Sequence, residues 1–258
     1  MRSRFWLGGS ILLAAATGCA DRPAAPEARG DRAAAVRFTD VTAAAGIRFT
    51  HENGARGRRY LPETMGAGGA FLDFNGDGWL DILLLNDLPL PSTPSDRSLP
   101  TAALYRHNGD GTFADMTRGS GLDVPMEAMG CCVGDFDNDG RDDVYITDAL
   151  GSSRLFRNES PAGGRTARFR DLTAAAGVAN RGRWGTSCAW LDYDRDGWLD
   201  LFVCNYVKYS LAADRPCFEG GRRFYCRPTA LIGRLARGCQ MSRWRTTSTS
   251  ASSSPDGV

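Results

Sequence analysis

The sequence predicts an all-β protein assembled from repeated hairpin units, and three observations carry that prediction. An acidic pattern, D-x-[DN]-x-D-G-x-x-D, occurs three times, starting at Asp73, Asp135 and Asp192. A second pattern, F-x-D-[VML]-T, recurs in phase with it, starting at Phe38, Phe113 and Phe169. Short apolar, β-branched and aromatic runs flank every acidic segment, as strands do. Self-similarity at a fixed period marks a repeat architecture, and a spacing of roughly 60 residues suits one four-stranded propeller blade with its loops. The expected fold is a β-propeller of about three blades, fewer than the four or more of a closed ring, and hence an incomplete one.

The chain opens on Arg2 and Arg4, an apolar run from Phe5 to Ala16, and then Thr17-Gly18-Cys19, the layout of a secretory signal. Small residues before Cys19 resemble a bacterial lipoprotein cleavage site, which makes residues 1–19 a signal peptide with Cys19 as the lipidated residue. That run is too short to span a bilayer as a mature helix. Residues 20–35, rich in Ala, Pro and Arg without apolar periodicity, read as a disordered linker. The expected location is periplasmic or on the outer membrane or cell surface, touching membrane only through that lipid, with plain secretion as the alternative.

Residues 36–230 hold the repeats. Ala70-Phe71-Leu72, Cys132-Val133 and Ala189-Trp190-Leu191 precede the acidic loops; Ile82–Leu85, Val144-Tyr145-Ile146 and Leu201-Phe202-Val203 follow them. Each loop is thus the connection of a β-hairpin, and alternating apolar positions make each F-x-D-[VML]-T segment a half-buried strand. After Ala230 nothing reads as strand or helix, and residues 246–254 are almost all Ser and Thr. Residues 231–258 are expected to be a disordered or aberrant tail, from truncation or a frame shift, or else a natural extension.

The acidic loops carry the chemistry. Side chains at the first, third and fifth positions can turn inward on one tight coil, the seventh residue offers its carbonyl, and the ninth adds a carboxylate. The candidate ligands are Asp73, Asn75, Asp77, Trp79 and Asp81; Asp135, Asp137, Asp139, Arg141 and Asp143; and Asp192, Asp194, Asp196, Trp198 and Asp200. Oxygen donors in this number select Ca2+ over zinc or copper, giving about three calcium sites. An EF-hand is the rival reading, but it needs a Glu at the twelfth position and flanking helices. Here the twelfth residues are Leu84, Ile146 and Val203, inside strand-like runs. Asn75 leaves the first loop with less charge, and Asp142 is expected to lie exposed beside its loop. Asn108-Gly109-Asp110-Gly111-Thr112 lacks the ladder of acids and reads as a tight hairpin turn.

Charge and composition exclude less. The net charge of +1, from 31 basic and 30 acidic residues, gives no global field for nucleic acid. There are eight cysteines; Cys217 and Cys226 bracket a polar, Gly-containing loop and are the expected disulfide, while Cys131 and Cys132 are vicinal and poorly placed to bridge each other. No G-x-S-x-G, HExxH or P-loop pattern occurs. Asn158-Glu159-Ser160 is formally a glycosylation sequon, expected to be unused.

At these residues the chain resembles the FG-GAP/VCBS repeat proteins, and among them the bacterial relatives of cartilage acidic protein whose longer members end in an ASPIC/UnbV domain. Leu104–Phe113, Leu155-Phe156-Arg157-Asn158, His51-Glu52-Asn53-Gly54, Tyr60–Gly66 and Trp184-Gly185-Thr186-Ser187 carry the rest of the likeness. The resemblance implies a propeller related to the integrin α-subunit head, with calcium-loaded hairpins on one rim. The function expected is a calcium-stabilised binding or scaffold module for a protein or polysaccharide, without nucleic acid. A propeller-fold hydrolase or dehydrogenase is the competing class, and a fragment without autonomous function is the third.

Overall fold

A computed structural model describes residues 36–91 and 99–225, and the backbone of 238–242. The signal peptide, Cys19, the linker and Cys226 therefore lie outside the described residues. Strands β1 (Gly69–Leu72), β2 (Asp81–Leu84), β3 (Ala103–His107) and β4 (Phe113–Asp115) form one antiparallel sheet in chain order. Strands β5 (Ala128–Gly134), β6 (Asp143–Asp148), β7 (Arg154–Asn158) and β8 (Phe169–Asp171) form a second with the same topology. A third sheet begins with β9 (Gly185–Leu191) and β10 (Asp200–Asn205), and a separate hairpin joins β11 (Cys217–Glu219) to β12 (Arg222–Phe224). The fold is all-β, its sheets are propeller-like blades, and every acidic loop joins the first two strands of a sheet.

Two expectations need correction. Residues 231–258 do contain a strand: β13 (Gly238–Ser242) pairs antiparallel with the free edge of β10. An open edge presents unpaired N–H and C=O groups, and a backbone ladder can satisfy them with little help from side-chain propensity. Phe38-Thr39-Asp40, in contrast, is not a strand, whereas Phe113–Asp115 and Phe169–Asp171 are. The latter two fold back on a third strand that immediately precedes them in the chain; no described third strand precedes Phe38.

The first strands of successive sheets pack together, β1 on β5 and β5 on β9. Gly130 shows how close this is: a Cβ there would stand 2.6 Å from the Thr186 carbonyl oxygen, so the contact requires glycine. The Thr147 hydroxyl lies 3.1 Å from the carbonyls of both Gly130 and Thr186, tying β6 into the same seam.

Alternation along the strands builds two interfaces. Leu72, Leu83 and Leu104 of sheet one meet Val144, Ile146 and Phe156 of sheet two. The other face of sheet two, with Tyr145 and Leu155, meets Leu201, Val203 and Trp190 of sheet three. Strand β6 is buried along its whole length because it belongs to both. At about 1.5–3 kcal/mol for each fully buried large apolar side chain, these interfaces fix the blades and with them the loops.

Candidate metal centre

The three acidic loops repeat one hydrogen-bond scheme. The first carboxylate accepts from the N–H groups of the fifth and sixth residues: Asp73 from Asp77 (3.1 Å) and Gly78 (2.8 Å), Asp135 from Asp139 (2.9 Å) and Gly140 (2.8 Å), and Asp192 from Asp196 (3.0 Å) and Gly197 (3.0 Å). The fifth carboxylate accepts from the seventh N–H, of Trp79, Arg141 or Trp198. The sixth residues have φ between +82° and +86°, and the fourth residues Gly76, Asn138 and Arg195 are also left-handed. Gly at position six meets that demand without strain; Arg195 meets its own against its intrinsic preference.

The ninth aspartate does more than the spacing suggests. Asp81, Asp143 and Asp200, all buried, accept from the loop's second N–H, at Phe74 (3.2 Å), Phe136 (3.2 Å) and Tyr193 (3.4 Å). Asp81 and Asp143 also accept from the third strand, at His107 N (2.8 Å) and Asn158 N (2.7 Å). One carboxylate thus ties a loop to two strands. Burial pushes Asp81 up to about 6 and Asp143 up to about 7, against the N–H donors.

Asp135, Asp137 and Asp143 converge with one oxygen each, mutually within 4.8 Å, and so do Asp192, Asp194 and Asp200. These acidic clusters could hold a metal ion. The structure therefore brings the first, third and ninth positions together, with the fifth, Asp139 or Asp196, beside them holding the seventh N–H. A fully buried Asp137 Oδ1 with no hydrogen-bond partner belongs to the cluster of loop two, with Asp135 and Asp143. Burial pushes the Asp137 carboxyl up, Arg157 pulls it back, and Asp139 and Asp135 push it up again.

The first loop differs. Asn75, buried, donates its amide to Asp77 Oδ2 (2.9 Å) and to the Gly164 carbonyl (2.8 Å) in the loop between β7 and β8. Asp142, expected to be exposed, is half-buried and accepts from Asp73 N (2.9 Å), so it joins loop two to loop one. A cleft of about 220 Å³ lies between these loops, lined by Asn75, Gly76, Asp139 and Arg141.

Asn108–Thr112 is a hairpin turn: Asn108 N donates to Thr112 O, and Asp110 accepts from the Thr112 N–H and hydroxyl. Cys217 is disulfide-bonded, while Cys131 and Cys132 are thiols that pack into different interfaces. Burial pushes the Cys131 thiol up to about 12. Asn158 of the sequon is fully buried and donates to the Phe74 and Asp142 carbonyls.

Comparison with known proteins now decides the family. The FG-GAP-like repeat matches residues 73–146 and 135–203, together more than half of the chain. The chain belongs to the FG-GAP-like repeat family. Cartilage acidic protein 1 of Xenopus tropicalis is 32% identical over 126 residues, covering 48% of this chain and 19% of that protein. The Homo sapiens protein is 31% identical over 113 residues, covering 43% of this chain and 16% of that protein. The matches span less than a fifth of these relatives' length.

Within the FG-GAP-like repeats, sequence reasoning missed Arg157. Its guanidinium contacts Asp137 (2.6 Å) and Asp139 (3.0 Å), a resident counter-charge on loop two. The signal was available: Arg106 and Arg157 occupy the same place in their third strands, one residue before the N–H that binds the ninth aspartate. Among the described residues no helix is long and apolar enough to cross a membrane.

Proposed function

We propose that this FG-GAP-like repeat chain is a calcium-stabilised, extracytoplasmic binding or scaffold module. The observation that carries the reading is the convergence of Asp135, Asp137 and Asp143, and of Asp192, Asp194 and Asp200, on hairpin loops of one repeated geometry. Three carboxylates drawn that close repel one another, and oxygen-only donors favour a hard cation with flexible coordination, Ca2+. The fifth aspartates and the seventh carbonyls of Trp79, Arg141 and Trp198 would complete the shells. Loop one, with Asn75 in place of a third acid, is the weakest of about three sites.

The loops also supply a surface. Trp79 and Trp198 are half exposed on the loop tips, and Trp79 stacks on His107 with ring centroids 4.8 Å apart. Aromatic faces beside a metal-rigidified rim suit a protein or polysaccharide partner. Binding without catalysis is the reading, and export, with lipidation at Cys19, completes it. Calcium-dependent capture on a panel of glycans and extracellular proteins tests the function. Asp139→Ala and Asp196→Ala should each lower calcium occupancy and weaken capture. Turnover of a substrate by the chain, or capture indifferent to chelator, would overturn it.

A further inference from the structure

At the strand ends remote from the acidic hairpins lies a second group of carboxylates. Asp87 follows β2, Asp148 closes β6, Glu127 precedes β5, and Glu52 comes from the segment that hydrogen-bonds to Asn86 and Asp87. Two of the four are satisfied. Glu52 is paired with Arg56 (2.7 Å) and accepts from Gly54 N. Asp148 accepts from the N–H groups of Glu127, Leu150 and Gly151. The other two are not: Asp87 is 1% exposed with neither carboxylate oxygen hydrogen-bonded, and Glu127 is 2% exposed with Oε1 unpartnered and Oε2 bound to Leu88 N (3.0 Å).

A buried carboxylate without donors is costly, and here the neighbours add to the cost. Burial pushes Asp87 up to about 7, with Asp148 and Glu52 adding repulsion. It pushes Glu127 up to about 8; the Leu88 N–H opposes this, and Asp87, Asp148 and Glu52 reinforce it. Glu127 and Asp148 line a cavity of about 590 Å³ with Leu88, Met126 and Leu150, which leaves room for water. Two arginines also line this cavity: the Arg154 guanidinium is engaged by Asp171 (2.8 Å), and Arg181 is an exposed residue at its edge.

We propose that Asp87 and Glu127 form a further cation site, separate from the hairpin loops, that takes a hard divalent ion of the calcium class. The free donors are three carboxylate oxygens with no nitrogen or sulfur, which suits a hard cation. A divalent ion cancels both unpartnered charges, whereas a single ammonium leaves one buried. Asp148 and Glu52, already bonded, act at longer range, and cavity water completes the shell. The site would clamp the end of β2 to the start of β5, fixing sheet one on sheet two at the rim opposite the loops.

The test is calcium titration of the full chain by calorimetry, comparing the wild type with Asp87→Asn/Glu127→Gln. The variant should bind one equivalent fewer. It should also melt several degrees higher than the wild type in chelator, because the amides remove the buried repulsion, and gain less from calcium. The calcium reading of the loops fails separately. In an Asp73→Ala/Asp135→Ala/Asp192→Ala background, which removes the first carboxylate of every loop, the loop equivalents should vanish while this one persists, until Asp87→Asn and Glu127→Gln are added. Unchanged stoichiometry and an unchanged calcium-induced gain in the Asp87/Glu127 variant would mean the pair holds only protons, and the proposal falls.

Discussion

The first and second repeats share topology, register and loop scheme, yet differ in what surrounds them. In sheet two, Val133 and Val144 face Phe156 across the strands and are packed into the interface with sheet one. The register-equivalent residues of sheet one are Phe71, Ile82 and Tyr105. Phe71 is 66% exposed and Ile82 is only half-buried, for no described sheet lies on that face; Tyr105 is buried there by the segment whose Arg48 N donates to its hydroxyl (3.2 Å). The loops differ in the same direction. Loop two gathers three acids around Asp137 and holds them with Arg157; loop one replaces the third acid by Asn75 and fastens it to Gly164. The same sequence pattern therefore specifies a hairpin in both repeats, and the neighbouring sheet and loop decide how much stability and charge each carries.

The largest difference should appear in the core. Ile146→Ala, at a buried position of β6, should cost about 2–5 kcal/mol, while Leu84→Ala at its counterpart in β2 should cost about 1 kcal/mol or less, since that side chain is only half-buried. Denaturant melts of both variants check this; equal losses would show that sheet one's open face is covered in solution. Next comes Asn75→Asp, which makes loop one resemble loop two but removes the donors to Gly164 O and Asp77. In chelator it should destabilise by about 1–3 kcal/mol, and calcium should recover most of the loss. No recovery would break the equivalence of the loops. The smallest effect belongs to Arg157→Met. Its guanidinium is partly exposed, so screening limits the cost to about 1 kcal/mol or below. Loss of that resident charge should enlarge the calcium-induced rise in melting temperature, whereas Arg106→Met on the first repeat should leave it unchanged.

Much of this was legible in the sequence. Gly at the sixth loop position, alternating apolar residues in Val144-Tyr145-Ile146, and the missing Glu at the twelfth position are local signals, and they gave the hairpins and excluded the EF-hand. What escaped depends on tertiary contact. Asp142 looks like a surface acid until loop one is seen to place Asp73 N against it. Asp87 and Glu127 are far apart in sequence and match no motif; only the fold brings Glu127 Oε2 to Leu88 N, next to Asp87. Gly238–Ser242 carries weak strand signals, and the free edge of β10 makes a strand of it. Phe38 shows the converse, a strand pattern with no third strand before it among the described residues.

The central claim is that crowded carboxylates on the hairpins are neutralised by calcium, and the most direct measurement is thermal unfolding of the wild-type chain in calcium and in chelator. Each occupied site should add about 2.7 kcal/mol when calcium is at 100 times its Kd, so the chain should melt several degrees higher in calcium. Identical melting temperatures in the two conditions would contradict the claim.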